Sequence, residues 1–313
     1  MLHKDEMMQL LDGFEEDGRL RGLSEDSLLR YRSPIKKVME ILEERGLTIK
    51  ETDKEVLKEF LRRQKERNLS KKTLKHYFAG LSTFYEYLMY EGVVDSNPIK
   101  PFRRRYLQSY KSDKRSEERK LLSVEDMSRF ISVIVDPRAK AIAMLFAKTG
   151  IRRGELIAID IEDIDWENQS IMLKPKAKRS NRIVFFDDEC SSSLKRWMII
   201  RDTMGISDDC HALFVNYVSK KRIDRNRVYD DIVNPAIKAG YYDPESDKLS
   251  DHFTPHAFRH WFTTWLLRNG MPREYVKELR GDARHDAIDI YNHIDMDDLR
   301  KEYMARIPKL GIF

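Results

Sequence analysis

Three short segments of the 313-residue chain set cationic or reactive side chains close together. In Thr149-Gly150-Ile151-Arg152-Arg153-Gly154-Glu155-Leu156, a glycine suited to ending one helix precedes two arginines that open another. A guanidinium there joins the unpaired backbone N–H groups of a helix start, a combination that suits an anion. Glu155 can steady Arg152 by a charge-assisted bond. In His256-Ala257-Phe258-Arg259-His260, a titratable imidazole and a fixed cation lie at i and i+3, on one face of a helix. That pairing suits phosphate chemistry. His256 with His260 is a competing zinc pair, but no Glu stands in the intervening turn and no third ligand is evident. In Ile290-Tyr291-Asn292-His293-Ile294, a tyrosine follows Arg259 by 32 residues. Each segment alone also fits ordinary structure: a helix junction, a helix start, a packed ring.

The acids Asp160, Asp163, Asp165 and Glu167 alternate as cation-loop ligands do. Trp166 stands where an EF-type loop needs glycine, so the cluster reads as a polar connection. With 41% hydrophobic and 35% charged residues the chain can build a sizeable core and is not of low complexity. Its longest uncharged apolar run, Ala141 to Ala147, falls far short of the roughly 18 residues that suggest a membrane span. Met1 to Asp12 mixes acids with leucines and does not read as a secretory leader. Cys190 and Cys210 are the two cysteines, too few for a disulfide scaffold or a Cys-rich zinc module. A cytoplasmic protein is expected.

Net charge is +5, and its distribution matters more than its size. Basic runs occupy residues 62–75, 103–120, 174–182 and 220–227. A single run is usually a solvated face; four, spread over both halves, suggest a polyanion footprint. Lys71, Lys72, Lys75, Arg103, Arg104, Arg105, Arg179 and Arg182 are the candidates for contact with that polyanion.

The elements that must carry these residues fall into two domains. The first, 1–108, is helical: Ser24 opens a helix to about Arg45, Thr52 and Glu55 suggest a capping box, and Ser70 starts a third helix ending near Gly92. The apolar stripe of that third helix, Leu74 to Leu88, has a period of 3.6 and reads as core rather than a base-stacking platform. From Asn97-Pro98 onward the pattern fails, and 109–120 is taken as the linker. The second domain, 121–313, starts with a Ser123–Asp126 capping pair and a helix from Asp136-Pro137 to Gly150. Ser170–Leu173 and Arg182–Phe186 read as strands around a basic turn. Helices then resume after Thr254-Pro255, after Pro272 and near Asp286. Met296, Leu299, Tyr303, Met304 and Ile307 form an amphipathic tail helix that docks either on its own domain or on a neighbouring protomer.

Taken together and in this order, Thr-Gly-Ile-Arg, His-x-x-Arg-His and Ile-Tyr-x-His resemble the three boxes of the tyrosine recombinase, or phage integrase, family, including its archaeal-type integrases and Xer-like recombinases. The resemblance covers 121–313, and the helical front half is similar to the family's core-binding domain in architecture. It implies a mainly α fold with a small antiparallel β-hairpin in the catalytic domain. It implies a site-specific recombinase that cleaves and rejoins duplex DNA through a 3′-phosphotyrosyl link, as a tetramer on two sites, with no metal, ATP or other cofactor and no membrane partner. A non-catalytic DNA-binding relative and a type IB topoisomerase-like enzyme are the alternatives. Carried over, Arg152 and Arg259 clamp the scissile phosphate, His256 is an acid/base and phosphate ligand, Glu155 supports the first arginine box and Tyr291 is the nucleophile. The family's hairpin lysine corresponds to Lys176, with Lys178 left open, because the turn from Pro175 to Arg182 lacks the usual glycines. Asp282 stands nine residues before Tyr291, where the family usually has histidine. An acid near a phosphate is unfavourable unless it accepts a hydrogen bond, so Asp282 is expected to orient a site residue; His285 is a weaker substitute.

Overall fold

The computed structural model describes residues 2–108, 121–175, 182–246, 248–282 and 294–313. The chain divides into two compact units, Met1–Ser116 and Glu117–Phe313. The expected linker 109–120, the turn of the hairpin and a helix start near Asp286 lie outside the described residues.

The first unit contains α1 (Leu2–Leu20), α2 (Glu25–Glu44), α3 (Lys54–Glu66), α4 (Lys71–Tyr90) and α5 (Ile99–Tyr106). Ser24 and Ser70 cap α2 and α4 by accepting the N–H of Ser27 and of Thr73. The apolar stripe of α4 is core: Phe78, Leu81, Phe84, Tyr85 and Leu88 are all buried. The Thr52 cap is not formed. Asp53 caps α3 instead, its carboxylate accepting from Glu55 and Val56 N–H, while buried Thr52 accepts from the Tyr85 hydroxyl at 2.6 Å. A carboxylate serves the positive helix start better than a hydroxyl, which frees Thr52 to satisfy a buried phenol. The stretch after Pro98 is a helix, α5, not a loop. Pro101 falls within its first turn, where a missing N–H breaks no helical bond. Ile99 and Phe102 anchor α5, with Phe102 stacked on Phe78 at 5.2 Å.

The second unit contains α6 (Val124–Ser132), α7 (Pro137–Thr149), α8 (Arg153–Ala158), strands β1 (Ile164–Asp165), β2 (Ser170–Leu173) and β3 (Arg182–Phe185), then α9 (Asp188–Asp202), α10 (Arg225–Lys238), α11 (Pro255–Arg268), α12 (Arg273–Arg280) and α13 (Met296–Arg306). The chain is mostly helical, with one small antiparallel sheet in the order β1-β2-β3, where Ile171 pairs with Val184. Ser123 and Asp136 cap α6 and α7 as their positions predict. The run Ala141–Ala147 is the centre of α7 and is buried throughout, as an all-round apolar helix must be. Helices α9, α10 and α11 all pack on α7, making it the axle of the unit.

The tail helix docks on its own unit. Leu299, Tyr303 and Ile307 join Phe185, Phe262 and Leu266 in one apolar cluster, and the Tyr303 hydroxyl donates to Lys148 O at 2.8 Å. The acidic cluster forms the connection into the sheet. Asp160 is held by Lys174 and Arg222, and Asp165 caps a turn through Glu167 and Asn168 N–H. No described helix is long and apolar enough to cross a membrane.

Candidate active site

The two arginine boxes meet because α7 ends at Gly150. Its φ of 59° lies in the left-handed region, and a Cβ there would overlap the Phe262 ring of α11. Glycine therefore lets α7 and α11 close on each other, and the Gly150 carbonyl accepts Arg259 Nη1 at 2.8 Å. One residue beyond Ile151, Arg152 opens α8 in extended backbone, and the Glu155 carboxylate accepts the Arg152 backbone N–H at 2.7 Å.

Both guanidiniums converge on the end of α12. The Arg280 carbonyl accepts Arg152 Nη1 at 3.0 Å and Arg259 Nη2 at 2.8 Å. Asp282 Oδ1 lies 3.4 Å from Arg152 Nη2 and 3.1 Å from Arg259 Nη2, while Oδ2 is 2.9 Å from Arg280 Nε. Arg259 is buried and Arg152 half-exposed, so one guanidinium forms the floor of the site and the other its edge. Burial, with the charges of Arg152 and Arg280 adding, pulls Arg259 down to about 10, and Asp282 and Glu155 oppose that.

Arg182 departs from its expected role. It was expected to face DNA, but it is buried at the start of β3, with Nη1 and Nη2 on the two Glu155 oxygens at 2.9 and 2.8 Å and Nε on Leu279 O at 3.1 Å. It is a brace joining β3, α8 and α12. Glu155 thus serves Arg182 and Arg152 together. Despite its burial, its bonds to Arg182, the neighbouring charges and the Arg152 N–H hold it down at about 2. The sequence offers one hint: a guanidinium opening a strand that is otherwise apolar. The role of the Arg280 carbonyl left no sequence signal, since every residue has one.

His256 is exposed and lines a cavity of about 300 Å³ together with Arg152, Arg153, Tyr229 and Arg259. Its ring lies 5.2 Å from that of His260. Among the described residues no group of three His, Cys, Asp or Glu is placed to hold a metal. Tyr291, Lys176, Lys178, Arg179 and His285 lie outside the described residues. In the first unit Lys71 and Lys72 are exposed at the start of α4, and Arg104 and Arg105 are exposed on α5. Lys75, Lys100, Arg103 and Arg104 line one surface hollow between those helices, a concentration of positive charge suited to a phosphate backbone.

Comparison with known proteins agrees with this division. The profile described as "Phage integrase family" matches residues 120–298, and that of "Phage integrase, N-terminal SAM-like domain" matches 12–92. Tyrosine recombinase XerC of Escherichia coli O139:H28 is 28% identical over 298 residues, covering 92% of each chain. XerC of Shigella flexneri is 27% identical with the same coverage. The fold is similar to the Tn1549 transposon integrase solved with a circular-intermediate DNA, with a TM-score of 0.67 and 20% identity over 94% of this chain and 98% of that one. It is also similar to XerH site-specific recombinase bound to difH, with a TM-score of 0.62 and 21% identity over 94% and 83% of the two chains.

Proposed function

Because the chain belongs to the phage integrase family, we propose that it is a site-specific DNA recombinase that breaks and rejoins duplex DNA through a covalent tyrosyl intermediate. The observation that carries this reading is the meeting of Arg152 and Arg259, 107 residues apart in sequence, on one small cavity shared with His256.

Two guanidiniums bound to non-bridging oxygens would stabilise the charge that builds on phosphorus during in-line attack. The Tyr291 phenolic oxygen gives its proton to His256 and forms a bond to phosphorus, and the bond to the 5′ oxygen breaks. Lys176 delivers the proton that oxygen needs, and His256 binds the phosphate and exchanges protons at the site edge. The 3′-phosphotyrosyl ester keeps the energy of the original phosphodiester, so a 5′ hydroxyl of another strand reverses the step without ATP. Fixed cations fill the role that a carboxylate-held metal has in many nucleases. Recombination needs four such steps on two duplexes, hence a tetramer on DNA, acting in the cytoplasm. XerC relatives named as tyrosine recombinases and the DNA-bound XerH neighbour support this reading.

A nicked suicide duplex tests it. The wild type should form a covalent protein–DNA adduct that is insensitive to EDTA, while Tyr291→Phe and Arg259→Ala should form none yet remain folded. An adduct in Tyr291→Phe, or none in wild type under conditions where DNA is bound, overturns it.

A further inference from the structure

We propose that Asp282 is a resident stand-in for the scissile phosphate: in the DNA-free protein its carboxylate ties Arg152 to Arg259, and an incoming phosphate takes its place. The inference rests on the reading above that this arginine pair receives phosphate.

The geometry is that of an occupied oxyanion site. One oxygen, Oδ1, faces Nη2 of both arginines at 3.4 and 3.1 Å, as a single non-bridging phosphate oxygen would. The other oxygen lies 2.9 Å from Arg280 Nε, an ion-pair contact without hydrogen-bond geometry. Arg259 requires a counter-charge because it is buried beside two further guanidiniums. Glu155 adds to it from a distance, its oxygens being bonded to Arg182 and Arg152 rather than to Arg259. Asp282 is therefore the carboxylate in contact with Arg259 among the described residues, and it joins Arg259 to Arg152 in one step.

Asp282 is also placed to leave. Gly281 ends α12 with φ at 58°, and a Cβ there would lie 2.6 Å from Arg182 Nη1, so the backbone is fixed by the brace beneath it. The Asp282 side chain itself is one-third exposed, so a χ rotation can carry the carboxylate into water while α12 stays in place. The Arg280 carbonyl keeps its bonds to both guanidiniums when the carboxylate departs, which preserves their spacing for the phosphate. Asp282 is thus a positioning residue. It keeps two like charges together before substrate arrives, and it sets a threshold that a stray anion does not pass but a phosphate held by a whole protein–DNA interface does.

Titration of the DNA-free full chain with inorganic phosphate tests the idea. Asp282→Asn, which keeps the shape and removes the charge, should bind phosphate about tenfold more tightly or better, and Asp282→Glu should stay near wild type. The gain should vanish when Arg259→Ala is added, a dependence that a general stability effect would not produce. No gain in a folded Asp282→Asn protein, or a gain that survives Arg259→Ala, overturns the proposal. Should Asp282→Asn fail to fold, the same titration of Asp282→Ser decides instead: a gain in phosphate affinity that disappears with Arg259→Ala supports the proposal, and no gain ends it. Phosphate binding requires no cleavage, so loss of the Tyr291 adduct would count against the recombinase reading alone.

Discussion

Glu155 accepts from two arginines and one backbone N–H while almost wholly buried, and its protonation is tied to the shape of the site. Its carboxyl is held at about 2 in the folded chain, against 4.5 for the unperturbed group. A folded value below the unfolded one means its stabilisation is fully present above about pH 4.5 and is lost as pH falls toward 2. The difference corresponds to roughly 3 kcal/mol at neutral pH, taken as an upper figure. Glu155→Gln should therefore be less stable than wild type at pH 7 and should show a flatter acid limb between about pH 4.5 and 2 in urea unfolding. Parallel acid limbs for the two proteins would place the coupling elsewhere. A second prediction concerns the leaving group. If Lys176 protonates the departing 5′ oxygen, Lys176→Ala should lose most cleavage on ordinary DNA and recover it on a 5′-bridging phosphorothiolate, whose sulfur leaves without a proton. Rescue of Lys178→Ala in its place would move the assignment two residues along the turn.

Helices carry the site, and how well each could be read depended on whether its signal was local. Caps at Ser70, Ser123 and Asp136, and the glycine stop after α7, follow from groups within four residues of one another, and they stand where the sequence puts them. Helix α5 has no periodic signal because three arginines and two prolines hide an apolar contact made chiefly by Ile99 and Phe102. The Thr52 cap fails for a tertiary reason: Tyr85, 33 residues away, takes its hydroxyl. The Arg182 brace likewise depends on a partner 27 residues distant, whereas the spacing inside each arginine box is local and was legible. The sequence leaves the docking of α13 open, and in the single chain it packs on its own unit, where Tyr303 bonds the Lys148 carbonyl near the end of α7. Lys148 itself is fully buried, with Nζ on Asp187 at 2.8 Å, on Pro308 O at 2.7 Å and on Glu189. The Glu189 carboxylate in turn accepts the N–H groups of Leu310, Gly311 and Ile312. This network pins the C-terminal strap to the helix that aims Arg152. Lys148→Met leaves buried Glu189 without its cation and Asp187 with Lys309 alone, and should cost about 3–5 kcal/mol in equilibrium unfolding. A loss under about 1 kcal/mol would mean that water replaces the ammonium at little cost.

At the scale of the whole molecule, the two units have separate apolar cores, one built around α4 and the other around α7. Chemistry and DNA grip can then be separated by mutation, since the candidate phosphate site lies wholly in the second unit while a dense group of exposed bases lies in the first. Each phosphate neutralised by a lysine or arginine releases condensed counterions, and the logarithm of the association constant then falls with the logarithm of salt by about 0.9 per contact. Replacing Lys72, Arg104 and Arg105 with glutamine should flatten that slope by about 2 to 3 if all three touch the backbone. All three side chains are exposed, and surface changes of this kind usually shift stability by less than about 0.5 kcal/mol. Once binding is restored by lowering the salt, the amount of Tyr291 adduct and the position of the cut should match wild type. Fluorescence anisotropy across a salt series measures the first quantity and denaturing gels the second. An unchanged slope would remove these side chains from the interface, and a shifted cut would show that they select the site as well as hold it.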